Sequence, residues 1–430
     1  MTNREIVKYC IDEIIKAGAD KVSCSLSVGS KNELNVDAGE LSLFRTTFNR
    51  NLSLKAIKEN KKGNISLNKL DKESIDQAIV ELMDITNSTK PDTANDISEF
   101  QPAKTFNLGS KEPNLDLMYS RLKEFVEFTN NKYPKVILEQ AILDFSYAQT
   151  ILMNSNGIDF TINKGVYGFG PMFTSKDGKN TSSFNYAGFS SIELAKSLHE
   201  YANIELLMKQ SEEQITTQQI PEKFVGDVII TPECFGDFVS AFESMISDYP
   251  LISGTSIYKD KLNEQIADKK LSIHCRPVSN DIEVGYFVTS DGYETKNSTV
   301  IDKGELKTFL LGLYGSNKTG LEKAVNSGGA FVIDAGDKSL DDLIKSVKQG
   351  ILMARFSGGN PSENGDFSGV AKNSYYIENG KVKFPISETM VSGNIAKMFM
   401  NIKNISSERT NDGTSIIPWI QFSGLTVSGK

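Results

Sequence analysis

Apolar residues recur at two spacings along this chain, and the switch between them marks its elements. Ile6, Val7, Cys10, Ile11, Ile14 and Ile15 fall three and four apart, one face of a helix over about 3–17, and Gly18 follows as a C-terminal stop. The period then drops to two. Val22, Cys24, Leu26 and Val28 alternate with Ser23, Ser25 and Ser27, the pattern of a half-buried strand. Such strands are expected across 21–57, followed by a turn at Lys62-Gly63, another short strand and a helix over about 72–85. Residues 87–114 place Pro91, Pro102 and Pro113 among Asn, Ser, Thr, Asp and Lys and read as a linker.

The pattern then restarts. Leu115, Met118, Leu122, Phe125 and Val126 mark a second opening helix, and Asn156-Gly157 predicts a hairpin because both residues tolerate positive φ. Strands run to Tyr186, and a closing helix is expected from near Ser191. The two closing segments begin alike, Ser74-Ile75-Asp76-Gln77-Ala78 and Ser191-Ile192-Glu193-Leu194-Ala195. Each follows a Gly/Lys/Asn turn, at Lys62-Gly63-Asn64 and Gly178-Lys179-Asn180. Two readings stay open: a duplicated helix–β-meander–helix module, or two amphipathic segments alike by chance. The polar stretch 209–223, with Pro221 near its end, marks a second boundary. Beyond it, Gly, Ser and short apolar runs predict strands about every ten residues, with one helix over 232–247 carrying Phe235, Phe238, Val239 and Phe242 on one face. The expected fold is α+β, with modules at 1–100 and 101–220 and a β-rich C-terminal domain at 221–430.

Composition narrows the function classes. A chain of 430 residues, 39% hydrophobic and 24% charged, can bury a large core without staples. The net charge of −8 argues against an electrostatic nucleic-acid binder. The densest basic cluster, Lys58, Lys61 and Lys62, reads as a solvated turn. The four cysteines form no C-x-x-C pair, and Cys10 and Cys24 fall on apolar faces as core residues. No apolar run approaches the roughly 18 residues of a membrane span. The first ten residues carry Arg4, Glu5 and Lys8 and no apolar stretch, so the cytoplasm is the expected location.

Candidate chemistry is sparse. His199-Glu200 opens like H-E-x-x-H, but Asn203 and Ile204 stand where a second His would be needed, so His199 reads as a surface residue of the closing helix. His274 and Cys275 are neighbours in a strand and point to opposite faces, which keeps both from one metal ion. The glycines of 165–170 and 312–320 match no dinucleotide fingerprint, and in Lys318-Thr319-Gly320 the Lys-Thr precedes the Gly, unlike a phosphate-binding loop. With two histidines and no G-x-S-x-G elbow, no nucleophile–base pair can be assembled.

The informative stretch is C-terminal. Residues 355–402 carry Arg-Phe-Ser-Gly-Gly-Asn-Pro, then Gly365-Asp366-Phe367-Ser368-Gly369, Ile377-Glu378-Asn379-Gly380-Lys381, Pro385 and Val391-Ser392-Gly393-Asn394. Asn379-Gly380 reads as a hairpin turn. Gly365 and Gly369 bracket a tight bend in which Asp366 or Ser368 bonds to local backbone. The bend and the Gly393-Asn394 loop are open to two readings, a structural turn or a peptide-contacting loop. Gly365, Asp366, Phe367, Ser368, Gly393 and Asn394 are therefore the candidate peptide-binding or interface residues.

In its order of motifs this block resembles the C-terminal domain of the TldD/PmbA family. Leu425-Thr426-Val427-Ser428-Gly429 resembles the family's last strand, and Gly254-Thr255-Ser256 and Tyr286-Phe287 through Gly292 are similar to upstream segments. The resemblance implies two kinds of subunit. TldD-like chains hold zinc through an H-E-x-x-x-H helix and a distant Cys, and PmbA-like or TldE chains lack these ligands. Here the corresponding helix, Val239 to Asp248, has no His, and 408–415 has no Cys. Zinc lowers the pKa of its water from 15.7 to about 7, and at about 1.36 kcal/mol per unit this is on the order of 12 kcal/mol in forming the nucleophile. A general base alone typically gives about 10²–10⁴ in rate and does not replace it. The resemblance thus implies a non-catalytic subunit with no cofactor of its own, paired with a TldD-like zinc-bearing subunit to process unfolded or small peptides. The competing readings are a homodimeric peptide-binding or scaffolding protein, and an enzyme built on carboxylates or an Asp/Glu-bound metal.

Overall fold

The computed structural model describes residues 1–429. Its N-terminal part runs α1 (Asn3–Lys16), β1 (Lys21–Asp37), β2 (Glu40–Lys58), β3 (Lys61–Leu67), α2 (Lys72–Ser88), β4 (Lys104–Leu108), α3 (Leu115–Lys132), β5 (Val136–Asn154) and β6 (Asp159–Asp177). Three short strands follow, β7 (Asn180–Thr181), β8 (Asn185–Tyr186) and β9 (Phe189–Ser191), then α4 (Ile204–Glu213). Thr2 and Glu5 close a reciprocal capping box on α1, which explains why the helix starts where it does. Two long antiparallel hairpins, β1–β2 and β5–β6, are joined side by side through β1 and β5 into one sheet of order β3-β2-β1-β5-β6-β4. Val22, Cys24 and Leu26 face α1 and α2 as the alternation requires, and all four cysteines are buried and unpaired.

Several expectations fail locally, each for a visible reason. The β2–β3 turn is Glu59-Asn60, both at positive φ, and Lys62 and Gly63 lie within β3. Gly63 is needed for close approach, since a Cβ there would stand 2.2 Å from Thr86 Oγ1 on α2. No helix begins at Ser191, which ends β9 and hydrogen-bonds Glu193 O (2.6 Å) and Glu283 (2.7 Å). A 3₁₀ turn at Leu198–Glu200 and then α4 take the helix's place, so the likeness to the start of α2 has no structural counterpart. The segment 87–114 carries β4, which pairs in parallel with β6, and it is tied down elsewhere. Asp92 accepts from Tyr314 (2.9 Å) and pairs with Lys318 (2.8 Å), and Asn317 donates to Ala94 O (3.1 Å). Gln101 bonds Gly292 O and the Glu294 amide, and Phe106 stacks on Phe287 at 5.1 Å. It is a strap that stitches the N-terminal sheet to the C-terminal part.

That part runs β10 (Phe224–Ile230), α5 (Pro232–Met245), α6 (Asp248–Ser253), β11 (Ile273–Cys275), β12 (Ser298–Asp302), β13 (Glu305–Leu306), α7 (Leu313–Thr319), β14 (Phe331–Ile333), α8 (Leu340–Lys345) and β15 (Gln349–Met353). It continues through β16 (Arg355–Ser357), β17 (Asp366–Lys372), β18 (Ser374–Glu378), β19 (Lys381–Ile386), β20 (Thr389–Asn394), α9 (Ile395–Met400), β21 (Ile402–Asn411) and β22 (Ile416–Ser428). Asn379-Gly380 forms the β18–β19 turn, both at positive φ. The long β22 pairs with β10, β14, β20 and β21 and is the spine of the domain. α5 packs across it, driving Phe235, Phe238 and Phe242 against Phe367, Phe399 and Phe422. At about 1.5–3 kcal/mol per buried large side chain, this aromatic cluster holds α5 firmly on the sheet. The molecule is α+β throughout, with its strands concentrated in two sheets.

Candidate functional site

α5 begins with Pro232 at its first turn, where the missing N–H costs nothing and φ is already helical. Its apolar stripe is buried, and the opposite stripe, Asp237, Ser240, Ala241 and Ser244, lines a groove of about 510 Å³. The far wall is the loop from β16 to β17, which contributes Asn360, Pro361, Ser362 and Glu363. The hydroxyls on α5 turn back onto their own helix: Ser240 donates to Gly236 O and Ser244 to Ser240 O, each at 3.0 Å. Burial raises the Asp237 carboxyl above its usual range. The groove thus offers acceptors and a partly desolvated acid, with no imidazole among its lining residues.

The six candidate residues converge behind the far wall. β17 and β20 are antiparallel partners, with Asp366 opposite Asn394, Phe367 opposite Gly393 and Ser368 opposite Ser392. The expected bend and loop are therefore strands, and only Gly365, at φ +86°, uses a left-handed backbone. Gly369 is small for a different reason, since a Cβ there would stand 2.1 Å from Gly358 O. Asn394 holds the corner. Its amide donates to Asp366 Oδ1 (2.8 Å) and Asn364 O (2.9 Å), and its Oδ1 accepts from Ala396 N (3.1 Å) and Lys397 N (3.3 Å), capping α9. Asn364 in turn donates to Asp366 Oδ2 (3.0 Å) and accepts from the Ser362 hydroxyl (2.6 Å). Ser362 N bonds Asp366 O at 2.9 Å, which fixes the wall loop to the head of β17. Phe367 meets Phe238 of α5 edge-on at 5.2 Å. These residues shape the groove from behind, and none of them lines it.

The helix 239–248, Gly254-Thr255-Ser256 and the Asn-Pro at 360–361 entered the family resemblance, but none of the groove residues was named as a candidate site residue. The signal was present: 237, 240, 241 and 244 are spaced as one face of a helix whose other face is phenylalanine-rich. The two histidines lie outside the groove's lining. His199 sits in the 3₁₀ turn, not on a helix, with its ring stacked on Phe128 at 3.6 Å. His274 contacts Thr299 Oγ1 (2.9 Å) and Asp334 Oδ1 (3.2 Å), while Cys275 beside it is buried. Zinc calls for His, Cys and carboxylate ligands in a tetrahedral set. The ionisable groups lining the groove are Asp237 and Glu363, and among the described residues no three His, Cys, Asp or Glu side chains converge to hold a metal. The donor set does not fit zinc.

Residues 223–429 match the family described as the PmbA/TldA metallopeptidase C-terminal domain. A relative named metalloprotease PmbA homolog from Haemophilus influenzae is 23% identical over 455 aligned residues, covering 98% of this chain and 96% of the relative. One of the same name from Buchnera aphidicola is 29% identical over 201 residues, covering 43% of this chain and 44% of its own length. That local match spans less than half of the Buchnera protein. The crystal structure of TldE from Thermococcus kodakarensis superposes with a TM-score of 0.85 at 19% identity, covering 99% of each chain, which shows the fold. With its C-terminal domain matched, PmbA-named relatives along its full length and the TldE fold, the chain belongs to the PmbA/TldD family.

Proposed function

We propose that this chain is the non-catalytic, PmbA/TldE-type subunit of a two-subunit zinc metallopeptidase that processes unfolded or small peptides in the cytoplasm. The observation that carries the reading is α5. It lines a groove of about 510 Å³, yet the groove supplies two carboxylates, back-bonded serines and no set of metal ligands. A zinc-bearing, TldD-like partner supplies the metal and its water. This chain supplies part of the surface that holds the substrate, through backbone and hydroxyl contacts suited to peptides of varied sequence. Gly365, Asp366, Phe367, Ser368, Gly393 and Asn394 act by positioning the groove wall against α5. The test is elemental analysis and a peptidase assay on the purified chain alone. The reading expects no stoichiometric zinc and no cleavage of an unstructured peptide; chelator-sensitive cleavage by this chain by itself would refute it.

A further inference from the structure

A cavity of about 260 Å³ lies where the two parts of the chain meet, walled by the turn after β7, the chain leaving α4, the β17–β18 turn and the β19–β20 turn. It shares no lining residue with the α5 groove. Hydrogen bonds lock its walls together. Gln218 N donates to Pro385 O (2.9 Å), Ser387 N to Gln218 O (3.1 Å), the Gln214 amide to Ser374 O (3.0 Å) and Arg355 to Phe184 O (2.7 Å). A preformed cavity at such a junction is a usual place for a ligand, and this one is below the roughly 300–1,000 Å³ of drug-sized pockets. Its polar groups are left open. Asn373 is 3% exposed and donates to Phe184 O (3.2 Å), but its Oδ1 meets no donor, although buried acceptors are nearly always paired. Lys372 beside it is half-buried and has no ion pair among the described residues. The hydroxyls of Ser183, Thr217 and Ser387 also lack a protein partner among the described residues. Asn373 and Glu388 both line the cavity with left-handed backbones, at φ +54° and +48°. That conformation is uncommon outside Gly and Asn and is found where a turn is held for a ligand.

We propose that this cavity binds a small zwitterion, a free amino acid or a dipeptide. The ligand's carboxylate pairs with the Lys372 ammonium and takes further bonds from the hydroxyls. Its ammonium supplies the donor that Asn373 Oδ1 lacks, in a cavity that Glu388 lines with negative charge. A simple anion would leave the Asn373 acceptor bare, and a simple cation would meet Lys372 unpaired, so the two ends are needed together. The site does not rest on the proposed peptidase partnership, and a failed peptidase experiment would leave it standing. Isothermal titration calorimetry of the full chain with L-alanine, L-glutamine and glycylglycine tests it, with circular dichroism to confirm that each variant is folded. At least one of the three should bind with a dissociation constant of about 1 mM or tighter. Propionate, which lacks the ammonium, and L-alaninol, which lacks the carboxylate, should bind about tenfold more weakly or worse. Lys372→Met should weaken the best zwitterion by about tenfold or more, and Ser183→Trp, at an exposed lining position, should block it without touching the core. Ser240→Trp in the α5 groove should leave it unchanged. Dissociation constants above about 1 mM for all three, propionate binding as well as the best zwitterion, affinity unaltered by Lys372→Met, or binding lost in Ser240→Trp would each overturn the inference.

Discussion

Asn394 has three obligations: it ties to Asp366, ties to Asn364 and caps α9. Asn394→Ala leaves the α9 amides without their side-chain acceptor, and loss of a cap typically costs about 1 kcal/mol, up to about 2. Urea denaturation should show that loss, and the groove wall should loosen with it. Its neighbour fails by crowding. A Cβ at Gly393 would stand 2.5 Å from Leu425 Cδ2 and 2.9 Å from the Phe367 ring. Gly393→Val is expected to destabilise by about 1–3 kcal/mol, the usual range for overpacking. A third residue reports on the strap. The Lys318 side chain, with help from the Ala94 amide and Tyr314, holds the Asp92 carboxyl down to about 2, against an ordinary 3.8. Because the folded value is the lower one, these contacts stabilise the fold above the ordinary value and are lost as pH falls through about 2. Acid titrations of stability for the wild type and Asp92→Asn should therefore converge at the acid end and separate toward neutral pH. Parallel curves would show that the strap contact does not contribute.

At the scale of elements, α5 and the β17–β20 pair make the site together. A bulky side chain on the groove stripe tests this without touching the core, since Ser240 and Ser244 are exposed. Ser240→Trp or Ser244→Trp should weaken binding of a labelled unstructured peptide by about tenfold or more, roughly 1.4 kcal/mol. Fluorescence anisotropy with unchanged urea stability would confirm it. What was legible in the sequence follows from periodicity. α1, α3, α5, the alternation of β1 and the Asn379-Gly380 turn could be read because each is determined by neighbours within a few residues. Asp366 and Asn394 could be chosen as candidates, but not as cross-strand partners, since a ladder between segments far apart in the chain leaves no local trace. The misplaced helix at Ser191 has the same origin. A segment that looks amphipathic was claimed by β6, to which β9 pairs, and by the side chain of Glu283. The helix that carries the groove stripe was compared with a zinc helix for its missing His, but the stripe was not chosen as a site, because serine and alanine on a helix face look like ordinary solvent exposure until a loop closes over them.

At the scale of the whole molecule, two sheets are joined by a strap, with the α5 groove in the C-terminal part. Among the described residues no set of His, Cys, Asp or Glu side chains converges to hold a metal, and under the proposed role activity is expected only in combination with a zinc-bearing subunit. The most direct test fixes the concentration of a zinc-bearing TldD-like subunit and titrates this chain into it while following cleavage of an unstructured peptide. The rate should rise from a low baseline, saturate near equimolar addition and vanish with a chelator. Ser240→Trp should reach a lower plateau. A rate unchanged by adding this chain, with both proteins folded and the zinc subunit loaded, would contradict the account.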